Sequence, residues 1–336
     1  MIVLTGNDLK SLATPTELVG AMQAAALAAD RGNAVVPSRL HMQWAPQHTL
    51  LAMPSAINDS TGLRIAAMGT KLISVVPDNA ARDLPVTNGL MVVSDWETGL
   101  PTAILDATTL TAQRTGAVGA LGVCHTTPPS IDAIGIIGCG VQGTWQAIFA
   151  CSVRRIRRIS FLSRSVAAGT RFESNVRQQV ARFAPDCAAR LEIVGCESAR
   201  ELLARSELII TATTSAVPVL PNEPAVLRGK HFVSIGSFRP DMQELPDAVF
   251  ELSGALVVDS EAARHEVGDV VGPVSRGVLS RDNVFPIGEV IAGTRAVDTQ
   301  GTTAYKSVGM ALFDLYAAAL FIEAAQRRGV GHQVDL

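Results

Sequence analysis

The sequence predicts an α/β fold in two parts, an α+β module followed by a doubly wound parallel sheet. Three observations carry this. A length of 336 residues allows about two domains of ~150 residues each. Hydrophobic residues make up 48% against 18% charged and 4% aromatic, so the core is aliphatic and a disordered chain is excluded. From residue 131 onward, apolar runs of strand length alternate with helical stretches, the pattern of parallel strands buried on both faces.

The first part opens with a helix over Thr16 to Asp30, where Leu18, Met22, Ala25 and Ala26 recur at helical spacing before Arg31-Gly32-Asn33 ends it. Short strands follow at His48 to Met53, Leu63 to Thr70, Leu72 to Val76 and Leu90 to Val93. Pro54, Asn58-Asp59, Pro77-Asp78-Asn79 and Asn88-Gly89 separate them, which predicts an antiparallel or mixed sheet. A helix from about Thr109 to Gly122 leads into the turn-rich stretch His125 to Ser130, where a domain boundary is expected. Beyond it, strands are expected at Ile131 to Ile137, Ile159 to Leu162, Leu191 to Val194, Leu208 to Ala212, Phe232 to Ile235 and Ala255 to Val258. The last helix, Tyr305 to Arg328, lies outside this alternation and is expected to return to the first module.

Charge and hydropathy narrow the partners. With 28 Lys+Arg against 31 Asp+Glu, the chain has no electrostatic footprint for nucleic acid or an anionic membrane, which points to a small-molecule ligand. Mean hydropathy is +0.27, yet the longest apolar stretch, Met310 to Ala325, carries Asp314 and Glu323 and reads as a buried helix rather than a membrane span. The start lacks the basic, apolar and cleavage regions of a secretory signal, so a cytoplasmic protein is expected. Cys124, Cys139, Cys151, Cys187 and Cys196 are dispersed without a CxxC pair and read as reduced structural thiols. The histidines show no ligand spacing, so no metal site is expected.

The strongest motif is Gly138-Cys139-Gly140-Val141-Gln142-Gly143, a GxGxxG directly between an expected strand and an expected helix. Gly138 permits the tight turn, Gly140 lets a pyrophosphate approach the backbone, and Gly143 lets the helix pack on the strand. The helix N-terminal amides, including those of Val141 and Gln142, then face the phosphate. This is a dinucleotide-binding turn of the Rossmann type. About 20 residues on, an acid would bind the ribose 2′-hydroxyl of NAD(H), but the chain reads Ser163-Arg164. A hydroxyl and a guanidinium suit a 2′-phosphate, which favours NADP(H) over NAD(H); stacking on the adenine or simple solvation are the other readings of Arg164. The run Arg154-Arg155-Ile156-Arg157-Arg158 precedes the second strand, the wrong edge for a ligand, and reads as a solvated turn.

Several segments together resemble the ornithine cyclodeaminase/mu-crystallin family along essentially the whole chain. They are Met53-Pro54, Lys71 with the Pro77 to Asn79 turn, Ser94 to Pro101, Leu110 to Ala117 with Arg114, the Gly138 to Gly143 turn, Gly236 to Leu245 and Gly288 to Gly293. The resemblance implies a Rossmann domain over residues 126–301 and a substrate-binding and dimerisation domain from residues 1–125 with 302–336. It also implies a homodimer, a nicotinamide cofactor, and small 2-amino or 2-imino acids as substrates. On it, Arg39 and Arg114 match a carboxylate clamp, Lys71 binds the carboxylate and exchanges a proton with the substrate nitrogen, and Met53 lines the pocket. Ser307-Val308-Gly309 matches a segment that closes over the nicotinamide, or else forms the first turn of the last helix. Trp44 and Trp96 either border the pocket or pack.

Two departures separate this chain from the cyclodeaminases of the family. They carry a Glu three positions before the Pro of Met-Pro and an Asp two residues after the Gly matching Gly236, where this chain has Leu51 and Phe238. Asp241, three residues further on, is an uncertain substitute. The expected activity is therefore reduction of the C=N bond of a small 2-imino acid. The alternatives are an ornithine cyclodeaminase and a mu-crystallin-like protein that binds nucleotide without turnover.

Overall fold

A computed structural model describes residues 1–59, 65–82 and 84–335. Its contacts divide the chain into two compact units, Met1–Arg114 with Met310–Leu336, and Thr115–Gly309.

The first unit is a mixed 8-stranded sheet with helices. Its strands are β1 (Ile2–Leu4), β2 (Ala34–Val35), β3 (Leu40–Ala45), β4 (His48–Asp59), β5 (Ile65–Val75), β6 (Thr87–Asp95), β7 (Pro101–Asp106) and a last strand, His332–Gln333. The order is last strand, β1, β7, β6, β5, β4, β2, with β3 also on β4. Every pair is antiparallel except β1 with β7. Two helices precede β2: α1 (Gly6–Leu12) and α2 (Pro15–Asp30). Both start on capping boxes, Thr5 with Asp8 and Thr14 with Glu17, in which each partner satisfies an amide the helix leaves unpaired. Pro15 sits at the helical start, where its missing N–H costs nothing.

The strands are longer than expected. β4 does not stop at Pro54: on one side Pro54 faces Thr70 of β5, while on the other β3 pairs only as far as Ala52 and β2 begins at Ala56. A proline without an N–H fits that gap in the ladder. β5 likewise runs unbroken through Lys71, which the expected break between Thr70 and Leu72 had left out; Leu63 and Arg64 of the expected strand lie outside the described residues. Along β5, Ile65, Ala67, Lys71 and Ile73 are buried while Ala66, Met68 and Leu72 are exposed, a period of two that gives the sheet one covered face. The helix Ala311–Arg328 packs on that face against β4, β5 and β6, and against α2.

The second unit is an all-parallel 8-stranded sheet. Its strands are β8 (Ala133–Ile137), β9 (Arg158–Leu162), β10 (Glu192–Gly195), β11 (Leu208–Thr211), β12 (His231–Ser234), β13 (Leu256–Val258), β14 (Val284–Pro286) and β15 (Thr303–Lys306), in the order β10-β9-β8-β11-β12-β15-β13-β14. Every residue of β11, β12 and β15 is buried, as expected of central strands of a parallel sheet covered on both faces. β15 corrects two expectations. It pairs with β12 and β13, so Thr303–Lys306 belong to the parallel sheet and the second unit runs on to Gly309, while Tyr305 is a strand residue and the last helix begins at Ala311.

The other dividing line falls within the helix α3 (Ala107–Thr126), ahead of the turn at residues 125–130. The reason is its glycines: a Cβ on Gly119 would lie 1.8 Å from Gln146, and one on Gly122 would lie 2.2 Å from the Tyr305 ring. Residues 116–122 thus pack into the second unit. Arg154 corrects the solvated-turn reading of the arginine run, because its guanidinium donates to the carbonyls of Val123, Cys124 and Thr127 and so closes the end of α3. Arg157 and Arg158 do form exposed pairs, with Asp132 and Glu192. Among the described residues no helix is long and apolar enough to cross a membrane.

Candidate active site

Lys71 sits in the middle of β5, opposite Met53 of β4 and Met91 of β6, on the covered face. Only 1% of it is exposed. An ammonium there needs a partner, and Asp314 from the first turn of Ala311–Arg328 supplies one at 2.8 Å. The second oxygen of Asp314 accepts from Arg114 Nε at 2.9 Å. One buried carboxylate therefore holds two buried cations, leaving an excess positive charge. Burial lowers the Lys71 pKa to about 8; Asp314 opposes the shift, while Arg114 and Arg39 add to it. Arg39, in the segment before β3, is thus close enough to act on Lys71 electrostatically. Lys71, Arg114, Arg39 and Met53, singled out in the sequence, gather in this unit.

Asp314 was missed. It served in the sequence only as a charge against a membrane span. The signal was nonetheless present: an acid in the apolar run Met310 to Ala325 must be paired if the run is buried.

In the second unit, β8 delivers the chain into the glycine turn. Gly138 has φ +103° and a Cβ there would lie 2.4 Å from the Ala212 carbonyl, while a Cβ on Gly143 would lie 1.9 Å from the Gly138 carbonyl. Packing accounts for both. Gly140 is different, since a Cβ there would meet nothing within 4 Å. Its bareness keeps open space in front of the helix α4 (Val141–Val153), whose N-cap is Gly140 and whose first amides have no side-chain cap. Gln142 Oε1 is buried there without a hydrogen-bond partner. An open cradle with uncapped amides fits the diphosphate of a dinucleotide.

Ser163 follows β9, exchanging hydrogen bonds with the backbone of Ser165, and Arg164 beside it is exposed. The thiol of Cys139 is pushed up to about 11 by burial and is not a nucleophile at neutral pH. Gly309 has φ +84° and ends a segment held by a residue the sequence did not reveal. Asp259 Oδ2 accepts from Ser307 Oγ at 2.7 Å, Val308 N at 2.8 Å and Gly309 N at 2.6 Å. Among the described residues no His, Cys, Asp and Glu side chains gather as a metal-holding group. Trp44 and Trp96 are 49% and 38% exposed, so neither is a core residue of this chain.

A sequence profile of the ornithine cyclodeaminase/mu-crystallin family matches residues 1–329. The chain belongs to this family. It is 31% identical over 342 residues, 100% of both chains, to a delta(1)-pyrroline-2-carboxylate reductase from Bacillus cereus. It is also 31% identical over 259 residues, 77% of this chain and 76% of the relative, to the ketimine reductase mu-crystallin of Rattus norvegicus. Among solved structures, the delta(1)-pyrroline-2-carboxylate reductase of Thermococcus litoralis, in complex with NADH and L-proline, matches with a TM-score of 0.89 at 30% identity, covering 99% of this chain and 100% of that one.

Within the family, the two departures from the cyclodeaminase pattern have clear local structure. Leu51 is buried and joins Met53, Ile73 and Ala311 in an apolar cluster on the same face of the sheet as Lys71. Phe238 lies under the Arg239 guanidinium, 5.8 Å from ring centre to carbon. Asp241 is exposed, and both its oxygens accept from Arg239, at 2.9 and 3.1 Å. That ion pair occupies the carboxylate weighed as a substitute.

Proposed function

We propose that this family member is an NAD(P)H-dependent reductase of the C=N bond of small 2-imino acids, of the pyrroline-2-carboxylate or ketimine kind. The observation that carries the reading is the excess positive charge of Lys71 and Arg114 around Asp314, which calls for an anion. Arg114 bonds Asp314 through Nε, and its two Nη nitrogens suit the parallel hydrogen bonds of a substrate carboxylate. Arg39 adds a second cation to that clamp. Holding the carboxylate fixes the α-carbon and the imine nitrogen before reaction.

A reduced nicotinamide dinucleotide, with its diphosphate held at the glycine turn, would supply the hydride for the α-carbon. Lys71 supplies the proton to the imine nitrogen. With a pKa of about 8 it is mostly protonated at neutral pH, yet gives up its proton far more readily than an ordinary lysine. Leu51 favours an uncharged substrate side chain over the distal ammonium of ornithine, which supports the reductase against the cyclodeaminase. The finely tuned, buried lysine argues against a nucleotide-binding protein without turnover.

The same reading includes NADP(H) as the preferred cofactor, because no acid stands at Ser163-Arg164 to repel a 2′-phosphate. It includes a homodimer, because the outer face of the first unit's sheet exposes Leu40, Met42, Met68, Leu72 and Leu90. The cysteines, all free in the structure, suit a reducing compartment such as the cytoplasm.

Absorbance at the nicotinamide band tests the reading. Pyrroline-2-carboxylate should oxidise NADPH in the presence of the protein, with a higher kcat/KM than for NADH, and Ser163→Asp should move the preference toward NADH. A wild-type preference for NADH of tenfold, about 1.4 kcal/mol, would contradict the role of Arg164. Absence of oxidation of either cofactor across small 2-imino acids would contradict the reductase.

A further inference from the structure

One buried charge cluster in the second unit has no part in the chemistry above. Lys306, Glu244 and Asp269 are each 0% exposed. Lys306 ends β15, donates to Ser234 Oγ at 3.0 Å, and lies 3.5 Å from Asp269 and 4.0 Å from Glu244. Burying three such groups is costly, and an apolar core of the same shape is often as stable. What the carboxylates hold therefore matters more than their contribution to the core.

They hold loops. One Glu244 oxygen accepts from Thr213 N at 2.6 Å and Thr213 Oγ1 at 2.8 Å, in the loop after β11. The other accepts from Gly236 N at 2.7 Å and Ser237 N at 3.2 Å, in the loop after β12, and from Ser234 Oγ at 2.9 Å. Asp269 holds Glu244 in turn, accepting from the backbone of Glu244 and Leu245 at 2.9 and 3.0 Å, and from the hydroxyls of Ser234 and Ser237. The two loops meet backbone to backbone, so that a Cβ on Gly236 would lie 2.0 Å from the Thr213 carbonyl. The Thr213 loop also backs the dinucleotide turn, since a Cβ on Gly138 would lie 3.0 Å from Thr213 Cγ2.

In a doubly wound sheet a dinucleotide binds outside the carboxyl ends of the strands, one mononucleotide to each half of the sheet. Here β8 and β9 carry the glycine turn and Ser163-Arg164, the adenosine half. The loops after β11 and β12 then fall to the nicotinamide half. We infer that Glu244, backed by Asp269 and Lys306, is a positioning residue that fixes these two loops for the nicotinamide half of the cofactor. The inference rests on the dinucleotide reading above.

Calorimetric binding of two ligands tests it: NADPH, and adenosine 2′,5′-bisphosphate, which keeps the adenosine, its 2′-phosphate and the 5′-phosphate but lacks the nicotinamide nucleotide. Glu244→Gln places an amide NH2 against converging donors, so at least one loop must move. NADPH Kd should rise at least tenfold and that of the shorter ligand less than twofold. Thr213→Val removes a single donor at constant shape and should show the same selectivity at about threefold; it decides the matter if Glu244→Gln does not fold. Equal weakening of both ligands, or none, would overturn the positioning role. Failure of the wild-type protein to bind either ligand would overturn the dinucleotide reading and the inference with it.

Discussion

Replacing Lys71 or Arg114 with alanine is expected to cut kcat/KM for a cyclic 2-imino acid by at least about two orders of magnitude, the scale lost when a reacting centre is misplaced. The losses should differ in kind. In the proposed roles, Arg114→Ala would remove a carboxylate ligand and should raise KM as well as lower kcat, whereas Lys71→Ala would remove the proposed proton donor and should act mostly on kcat. The wild-type rate of reduction should fall as pH rises through about 8, where the Lys71 ammonium loses its proton, and Lys71→Ala should lack that limb. Nucleotide affinity should stay near wild type in both variants, because the glycine turn belongs to the other unit's sheet. A folded variant that has lost NADPH binding would rule out a substrate-side role for the residue replaced.

Asp314→Ala carries the largest expected effect on stability. It strands two buried cations, and removing one partner of a buried ion cluster costs ~3–5 kcal/mol. The midpoint of urea unfolding should drop accordingly. In a Lys71→Met background the loss should be smaller, since one of the stranded charges is gone. Asp314 also favours the charged form of Lys71, so in any Asp314→Ala protein that folds the alkaline limb of the rate should move below pH 8. An unchanged unfolding midpoint would contradict the ion cluster.

The features that were legible in the sequence are local ones. The glycine turn is a short pattern whose strand, turn and helix are contiguous, and α2 is long enough for its periodicity to show. β1 and α1 are too short for any period, and the capping pair Thr5 and Asp8 is their one local signal. Pro54 and Lys71 were misleading because each breaks the expected pattern of a strand, Pro54 being tolerated at a gap in the ladder and Lys71 by an acid distant in sequence. Asp314 takes Arg114 as its partner from 200 positions away, so no spacing along the chain could announce it. Asp259 and Glu244 are of the same kind, ordinary acids whose meaning lies in the loop amides the fold brings to them. β15 escaped because its four residues, Thr303 to Lys306, end in a lysine that reads as surface until Asp269 and Glu244 are seen beside it.

An imine reductase consumes one reduced cofactor per product, whereas an ornithine cyclodeaminase regenerates its NAD within each turnover. The stoichiometry of nicotinamide, proline and ammonia in parallel reactions, with pyrroline-2-carboxylate plus NADPH and with ornithine plus substoichiometric NAD, separates the two. A distal ammonium placed beside the buried Leu51 would lack a counter-charge, at a cost of several kcal/mol, on the order of 3–5. The expected result is one NADPH oxidised per proline formed in the first reaction, and no ammonia above background in the second. Sustained formation of proline and ammonia from ornithine with substoichiometric NAD would contradict the account.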